Sequence, residues 1–581
     1  MTASTIPARL FEQARTRPNQ AAYFVREDSG WVSTNWSSYA ANVQKVGRAL
    51  VTAGLDTGSV VCILGNNRPE WVEMDLGAMA IGAIPAGIYQ TCSPEEIAYI
   101  LNHSEAPIVL VENQSQLDKV LSIRGETPHL KQIVLMSGTN ANGEGISTWE
   151  DFLATGDATD AQVVEDRVEK LDPAKAATFI YTSGTTGPPK AVMLSHDNLA
   201  WTADVAVRIV SQTDADKSLS YLPLSHIAEQ MFTLHAPITS GASVYFAESV
   251  EKMPDNLKEV QPTVFFGVPR VWEKFHAGIA SKLKLATGAK AKLVDFARRT
   301  GTAVTEQKNQ GRPITGLLAV KYKLANKLIF SKLKPAIGMG EARICVSGAA
   351  PIAPDVLEFM ASLDVTILEV YGQSEDSGPT TFNLPGKTRF GTVGTRLDGV
   401  DVKIADDGEI LVKGRNVFMG YYKDVEATKA ALDDDGWLYS GDLGAFSDDG
   451  YLTITGRKKD IIITAGGKNI APKNIEAALM EHPAISQAVV IGDRRKFLSA
   501  VVAIDPDKAA EANGDLDSFE SSIQTHVDAI NQRFARVEHV RKFRILPREL
   551  DQENAELTPT MKIKRRIVHD NWADLIDGMY E

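Results

Sequence analysis

Apolar and polar positions along the chain keep two rhythms. Over 36–53 (WSSYAANVQKVGRALVTA), Tyr39, Val43, Val46, Leu50 and Val51 fall near one face of a helix. Val60-Val61-Cys62-Ile63-Leu64 is a continuous apolar run of strand length, closed by Gly65-Asn66-Asn67. Residues 71–81 return to the helical rhythm, and 108–111 and 132–136 read as further strands. Ser93-Pro94-Glu95-Glu96 carries the residue types of a capped helix start. Strands alternating with helices predict parallel sheets covered on both faces. The longest apolar run, 76–89, spans 14 residues and contains Pro85, so it predicts a buried element and not a membrane span.

Downstream the rhythm continues. Residues 177–180 read as a strand, and Ser195 or Asp197 caps a helix from about Asn198. Strands are expected at 343–346 and 366–370, and 261–274 (QPTVFFGVPRVWEK) is a strand entering a Gly-Val-Pro turn. A smaller β-rich section begins with FGTVG at 390–394 and GEILV at 408–412. Residues 451–455 alternate as a strand that Gly456 interrupts. Strand 461–464, helix 472–480 and strands 488–491 and 500–504 then suggest a compact α+β unit, with a surface linker at Gly514. The expected fold class is α/β. A large N-terminal domain of stacked α/β subdomains plus a small β-rich section covers 1–457, and a small mobile α+β C-terminal domain covers 458–581.

Composition narrows the classes. A chain of 581 residues exceeds one core, so two or more domains are expected. A net charge of −13 argues against nucleic-acid binding. Cys62, Cys92 and Cys345 lie far apart and form neither a metal pattern nor a disulfide framework, which fits a reducing cytoplasm. The N-terminal MTASTIPARLFEQ has no apolar core of signal-peptide length.

One segment breaks the charge balance. Residues 274–334 hold fourteen basic and two acidic residues, a local charge of +12 in an acidic chain. Leucines and phenylalanines interleave at helical spacings. The segment is either a solvated helical insert or a membrane-surface patch; each Lys or Arg near an anionic bilayer contributes about 1 kcal/mol. The second reading places the protein in the cytoplasm, peripheral on the inner membrane surface.

The chemistry centres on 181–190, YTSGTTGPPK. Ser183, Thr185 and Thr186 bring hydroxyls. Gly184 and Gly187 let backbone N–H groups turn inward, and Lys190 adds a mobile charge. Amides, hydroxyls and a lysine make a phosphate cradle. It is not a Walker A loop, because Gly187 is followed by Pro188-Pro189-Lys190. Two further loops leave the carboxyl ends of apolar strands, where open α/β sheets bind ligands: Ser347-Gly348-Ala349-Ala350-Pro351 and Tyr371-Gly372-Gln373-Ser374-Glu375.

The 181–190 run resembles the signature loop of the adenylate-forming enzymes: acyl-CoA synthetases, peptide-synthetase adenylation domains and beetle luciferases. At least six motifs follow in that family's order over nearly the whole chain. The resemblance implies ATP, Mg²⁺ and coenzyme A as cosubstrates and cofactors. It assigns the phosphate loop to Thr182, Ser183, Gly184, Thr185, Thr186, Gly187 and Lys190. Gly348, Ala349, Ala350, Tyr371, Gly372, Gln373 and Ser374 then surround adenine, with Tyr371 offering a flat face. Asp442 takes the ribose hydroxyls and Arg457 the ribose or phosphate. Thr182 and Glu375 hold Mg²⁺. His226 lines the boundary of acyl group and phosphate, Lys459 is the hinge, and Gly466 lies on the thiol channel. The final motif, LTPTMKIKRR, puts the catalytic lysine at Lys562, with Lys564 the alternative; Met561 stands where many relatives have glycine.

LPLSHIAEQMF, GVPRVWEK and YGQSEDSGPTTFNLPGKTRFGTVG are most similar to long-chain and bubblegum-type acyl-CoA synthetases. The implied reaction is a fatty acid–CoA ligation: carboxylate attacks the α-phosphate of ATP, and a thiol then displaces AMP from the acyl-AMP. Gln230 stands where some long-chain relatives have a tryptophan gate. Phe265, Phe266 and Trp272 are either acyl-lining or core. Loading of a carrier protein instead of CoA, and a non-catalytic nucleotide- and lipid-binding regulator, remain as alternatives. The oligomeric state stays open, a dimer included.

Overall fold

The computed structural model describes residues 3–139, 143–182, 188–465, 468–558 and 561–581. Val60–Leu64 is buried at all five positions and sits inside an eight-stranded sheet. Its parallel neighbours are Ile84–Ile88 and Ile108–Val111, followed outward by Gln132–Leu135 and Ile146–Thr148. Beyond Ile84–Ile88 come Ala176–Thr182, Lys190–Ser195 and Gly420–Tyr421. The expected parallel sheet therefore needs one correction. Lys190–Ser195 runs antiparallel to Ala176–Thr182, because the connection between them is too short for a parallel crossover. The apolar run 76–89 is two elements, the end of helix Pro69–Ala80 and strand Ile84–Ile88, parted at Gly82 with φ 80.

The second layer joins two sheets edge to edge. Lys217–Ser220, Ser243–Phe246 and the N-terminal hairpin Ala21–Glu27 and Gly30–Asn35 form one. Val264–Gly267, Ile344–Ser347 and Ile367–Tyr371 form the parallel part of the other. The Thr263 N–H donates to the Lys217 carbonyl at 3.0 Å across the seam. Helix His196–Val210 starts at Ser195, whose hydroxyl accepts from the Asn198 N–H while Asn198 caps it in return, so Ser195 and not Asp197 is the cap.

The β-rich section is an antiparallel sheet of Val400–Ile404, Glu409–Gly414, Leu438–Phe446 and Leu452–Arg457. Its last strand does not stop at Gly456. Gly456 and Arg457 stay in register with Leu443 and Asp442, which carries the strand on to Arg457. After the single turn Lys458–Asp460, a separate core is built from helices Pro472–Leu479 and Glu520–Asn531 on strands Ile485–Ile491, Leu498–Ile504 and Val540–Ile545. Leu498–Ile504 is buried at every position.

The basic segment is helical: Pro269–Lys284, Gly288–Asn309, Gly316–Ala325 and Ser331–Ala336. Gly301 lets the second of these lie against helix Pro354–Ser362; a Cβ there would stand 2.1 Å from the Ser362 carbonyl oxygen.

Candidate functional site

Four chain segments converge on one cleft. The first is the antiparallel strand pair Ala176–Thr182 and Lys190–Ser195. Thr182 and Lys190 face each other at its neck, the Thr182 hydroxyl 3.5 Å from the Lys190 carbonyl. The Lys190 ammonium lies 4.8 Å over the Tyr421 ring and 3.9 Å from Asp424. Ser183, Gly184, Thr185, Thr186 and Gly187 lie outside the described residues.

The second segment leaves the two parallel strands. Gly348 is buried against Val370, where a Cβ would meet Cγ1 at 2.6 Å, and Ala349 (φ 69) and Ala350 are exposed beyond it. Tyr371 is buried at the end of its strand. Gly372 crosses the Gly378 backbone so closely that a Cβ would stand 1.5 Å from the Gly378 carbonyl oxygen. The Gln373 N–H donates to Asp376 at 2.7 Å and Ser374 is buried, so the loop holds a fixed turn. Burial pushes the Asp376 carboxyl up to about 8. Glu375 follows on this turn; its Oε1 accepts from the Tyr421 hydroxyl at 2.8 Å, and Oε2 accepts from none of the described residues.

The third segment is the β-rich sheet. Asp442 and Arg457 are register partners on adjacent strands, with Arg457 Nε 3.3 Å from Asp442 Oδ1. The Tyr371 hydroxyl donates to Asp442 Oδ2 at 3.0 Å. Each carboxylate oxygen keeps a lone pair for a further donor. Burial, and after it the Asp442 charge, hold the Tyr371 phenol well above its usual range, so it stays a donor.

The fourth segment comes from the C-terminal unit. Residues on either side of 559–560 pair with each other: Leu557 bridges Ile563, the Thr558 N–H donates to the Lys562 carbonyl at 2.8 Å, and the Lys562 N–H returns to Thr558 Oγ1 at 3.0 Å. Met561 turns the corner at φ 61, a left-handed position that costs a non-glycine residue about 1 kcal/mol. The paired residues rest on Glu556, whose buried carboxylate takes Arg548 at 2.6 Å and Trp572 Nε1 at 2.9 Å. Lys562 projects from this base into the cleft, within electrostatic reach of Arg457, Lys473, Asp442 and Glu375. It is open to solvent along the cleft yet crowded by protein. Desolvation, then Arg457 and Lys473, push its ammonium below the ordinary lysine range. Lys564 points its backbone N–H at the Glu556 carbonyl and precedes helix Arg565–Asn571.

His226 faces the same cleft. Its Nδ1 accepts the Ala228 N–H at 3.1 Å as the cap of helix Ile227–Gln230, which requires the Nε2–H tautomer. Desolvation and the Lys562 charge push it down to about 4. The segment is fixed from beneath by Glu229, buried and accepting from Ser220 Oγ at 3.0 Å, the Tyr221 N–H at 3.1 Å and Thr233 Oγ1 at 2.8 Å. Burial pushes Glu229 up to about 7.

Lys459 is exposed at the turn between the two units. Its neighbour Lys458 is held to the β-rich sheet by Asp407 at 2.6 Å and Glu409 at 2.8 Å. Arg270 and Asp505, 3.3 Å apart, make a second contact between the units. Gly466 lies outside the described residues. Gln230 is fully buried and bonded to the Leu224 carbonyl at 3.0 Å. Phe265 and Trp272 pack edge to face inside the core, and Phe266 stacks on Phe232.

Sequence reasoning passed over Tyr421, Glu229 and Lys473. The Gly420-Tyr421-Tyr422 run after a β-strand was visible as aromatic density, but nothing local tied it to Glu375, 46 residues upstream. Glu229 was legible only as the acidic position three residues after His226.

Tyr371, Asp442 and Arg457 thus form one cluster, and a lysine from the C-terminal unit reaches it. The chain belongs to the AMP-binding enzyme family: that family's model matches residues 10–422, and the model described as AMP-binding enzyme C-terminal domain matches 459–581. The chain is 37% identical to the long-chain-fatty-acid–CoA ligase ACSBG2 of Xenopus laevis, over 96% of this chain and 81% of that one. It is 35% identical to the long-chain-fatty-acid–CoA ligase FadD15 of Mycobacterium bovis, over 99% and 97%. Its fold matches ATP-bound MatB of Rhodopseudomonas palustris with a TM-score of 0.73 at 23% identity, covering 98% of this chain and 99% of that one.

Proposed function

We propose that the protein is an AMP-forming long-chain fatty acid–CoA ligase, converting fatty acid and ATP to acyl-AMP and pyrophosphate, then acyl-AMP and CoA to acyl-CoA and AMP. The observation that carries this reading is the position of Lys562 in the cleft that holds Asp442, Arg457, Glu375 and His226. The relatives' names supply the long-chain acyl group and the CoA acceptor.

Each group then has a task. Tyr371 and Gly348 to Ala350 bracket adenine, and Asp442 accepts the ribose hydroxyls while Tyr371 and Arg457 hold its orientation. Lys562 bonds the α-phosphate oxygens and neutralises the charge that grows there during carboxylate attack. Asp442 and Glu375 favour its charged form against the desolvation and the Arg457 and Lys473 charges that lower its pKa. His226, held neutral with Nε2–H toward the cleft, donates to the acyl carboxylate or a phosphate oxygen. Glu375, whose Oε2 accepts from none of the described residues, and the Thr182 hydroxyl fit Mg²⁺, a hard cation that takes few protein carboxylates and relies on phosphate oxygens. Bound there, the metal would neutralise the outer phosphates.

The thiol step needs Lys562 withdrawn. With the domain boundary taken at 457/458, beside the turn Lys458–Asp460, rotation at Lys459 would exchange Lys562 for the thiol-channel position assigned to Gly466. Pyrophosphate release measured across C2 to C24 carboxylates, with and without CoA, tests the reading. Release peaking with long chains and acyl-CoA accumulation are expected; release that ignores chain length, or an acyl-AMP that CoA does not discharge, would refute it.

A further inference from the structure

Helix Gly316–Ala325 and the turn Asn326–Phe330 that continues it have two unlike faces. The inner face is built into the protein. Ala325 and Phe330 are fully buried, and the Tyr322 hydroxyl donates to Asp364 Oδ2 at 3.0 Å. Lys308 and Lys334 meet the same carboxylate at 3.0 and 3.2 Å. These two lysines stand on the flanking helices Gly288–Asn309 and Ser331–Ala336 and are spent as structural charges.

The outer face is apolar and uncovered. Leu317, Val320, Leu324 and Leu328 are 69%, 63%, 48% and 36% exposed. Their spacing of three, four and four residues puts them along one side of the helix. Soluble surfaces scatter exposed leucines singly; a row of four is a stripe. At 100° per residue Lys321 lies along one margin of the stripe, and Lys323 and Lys327 lie along the other. All three are exposed, and none is ion-paired among the described residues. No acidic residue occurs between Glu306 and Glu341.

We propose that this stripe is a docking surface for an anionic lipid bilayer, with the four apolar side chains in the headgroup–acyl boundary and the flanking lysines on lipid phosphates. An amphipathic element of this kind lies in the interface plane, and among the described residues no helix is long and apolar enough to cross a membrane. Charge decides against a second copy of the chain as the occupant, since a symmetric contact would set the same lysines against each other. None of these side chains is among those placed in the cleft, and the inference does not depend on which carboxylate the enzyme takes.

Vesicle flotation of the full chain tests it, with phosphatidylcholine vesicles and with vesicles containing phosphatidylglycerol. Wild type floats with the anionic vesicles and is released by high salt. Replacing Lys321, Lys323 and Lys327 together by Gln weakens this by about a hundredfold, and replacing Leu317, Leu324 and Leu328 by Gln weakens it by at least about tenfold. Both variants keep the thermal midpoint and pyrophosphate release of wild type on a soluble carboxylate, because every changed side chain is exposed. The proposal is overturned if wild type stays with the unbound fraction, or if both variants float as wild type does. It is equally overturned if sedimentation shows a dimer that the leucine variant disperses while no vesicle binds.

Discussion

The Tyr421 hydroxyl donates to Glu375 Oε1 at 2.8 Å, tying the edge strand paired with Lys190–Ser195 to the carboxylate proposed above to hold magnesium. The bond fixes one oxygen of the carboxylate. Burial, then the Glu375 charge, hold the Tyr421 phenol well above its usual range, so it donates at any working pH. Tyr421→Phe should leave the fold intact and raise the Mg²⁺ concentration for half-maximal adenylation by about tenfold, as loss of an orienting partner does at metal sites. Titrating Mg²⁺ against pyrophosphate release checks this; an unchanged Mg²⁺ dependence would mean that Glu375 is oriented by other means.

Lys562→Ala should lower acyl-AMP formation by about 10² to 10³-fold, the usual cost of one preorganised charge-stabilising donor. Thioester formation from preformed acyl-AMP should survive, because the proposed rotation at Lys459 takes Lys562 out of the cleft before that step. Measuring the two half-reactions separately decides it, and equal loss in both would remove Lys562 from its assigned step.

His226 titrates near 4 in the folded protein against about 6.5 unfolded. On acidification the unfolded chain takes this proton first. The contribution of His226 to stability is therefore complete above pH 6.5 and is lost as pH falls from 6.5 toward 4. His196 and His235, pushed by burial to about 4 and about 3, act in the same direction. Asn also caps helices well, so His226→Asn should fold and flatten the stability–pH curve in that window by up to about 1.4 kcal/mol per pH unit. Denaturant unfolding at pH 4.5, 5.5 and 6.5 reads the slope; parallel curves for wild type and variant would contradict the burial argument.

Gly372→Ala should cost at least about 2 kcal/mol, because the new Cβ meets backbone that no side-chain rotation can move aside. Nucleotide binding should weaken with it, since Tyr371 and Glu375 flank the displaced turn. A variant with wild-type thermal midpoint and ATP affinity would show that the two chain crossings are looser than they stand.

The strands at Val60–Leu64 and Ile108–Val111 were legible to the residue, because a run buried on both faces is apolar at every position. The helix start at Ser93 was legible for a different reason: its capping box with Glu96 is a local bond between neighbours. The hairpin Ala21–Glu27 and Gly30–Asn35 was not read, since its half-buried pattern is weak and its parallel partner, Ser243–Phe246, lies more than 200 residues away. The return of Lys190–Ser195 alongside Ala176–Thr182 was hidden too, because the pattern of a buried strand does not record its direction.

The sequence by itself determined which chemical groups the protein owns and in what order: the hydroxyl- and glycine-rich loop, the Tyr-Gly-Gln-Ser-Glu turn, Asp442, Arg457 and a lysine near the end. Those rest on residue identity and short-range spacing. Only the tertiary structure decided which of them act together. It placed Lys562 and not Lys564 among Asp442, Glu375 and Arg457, because the paired residues 557–558 and 562–563 on Glu556 aim one side chain outward and keep the other at a helix start. It also split the basic insert into lysines that pin Asp364 and lysines that border an uncovered apolar stripe. The pattern of charge along a chain is local, whereas the face that each charge meets is set by contacts between residues far apart in sequence.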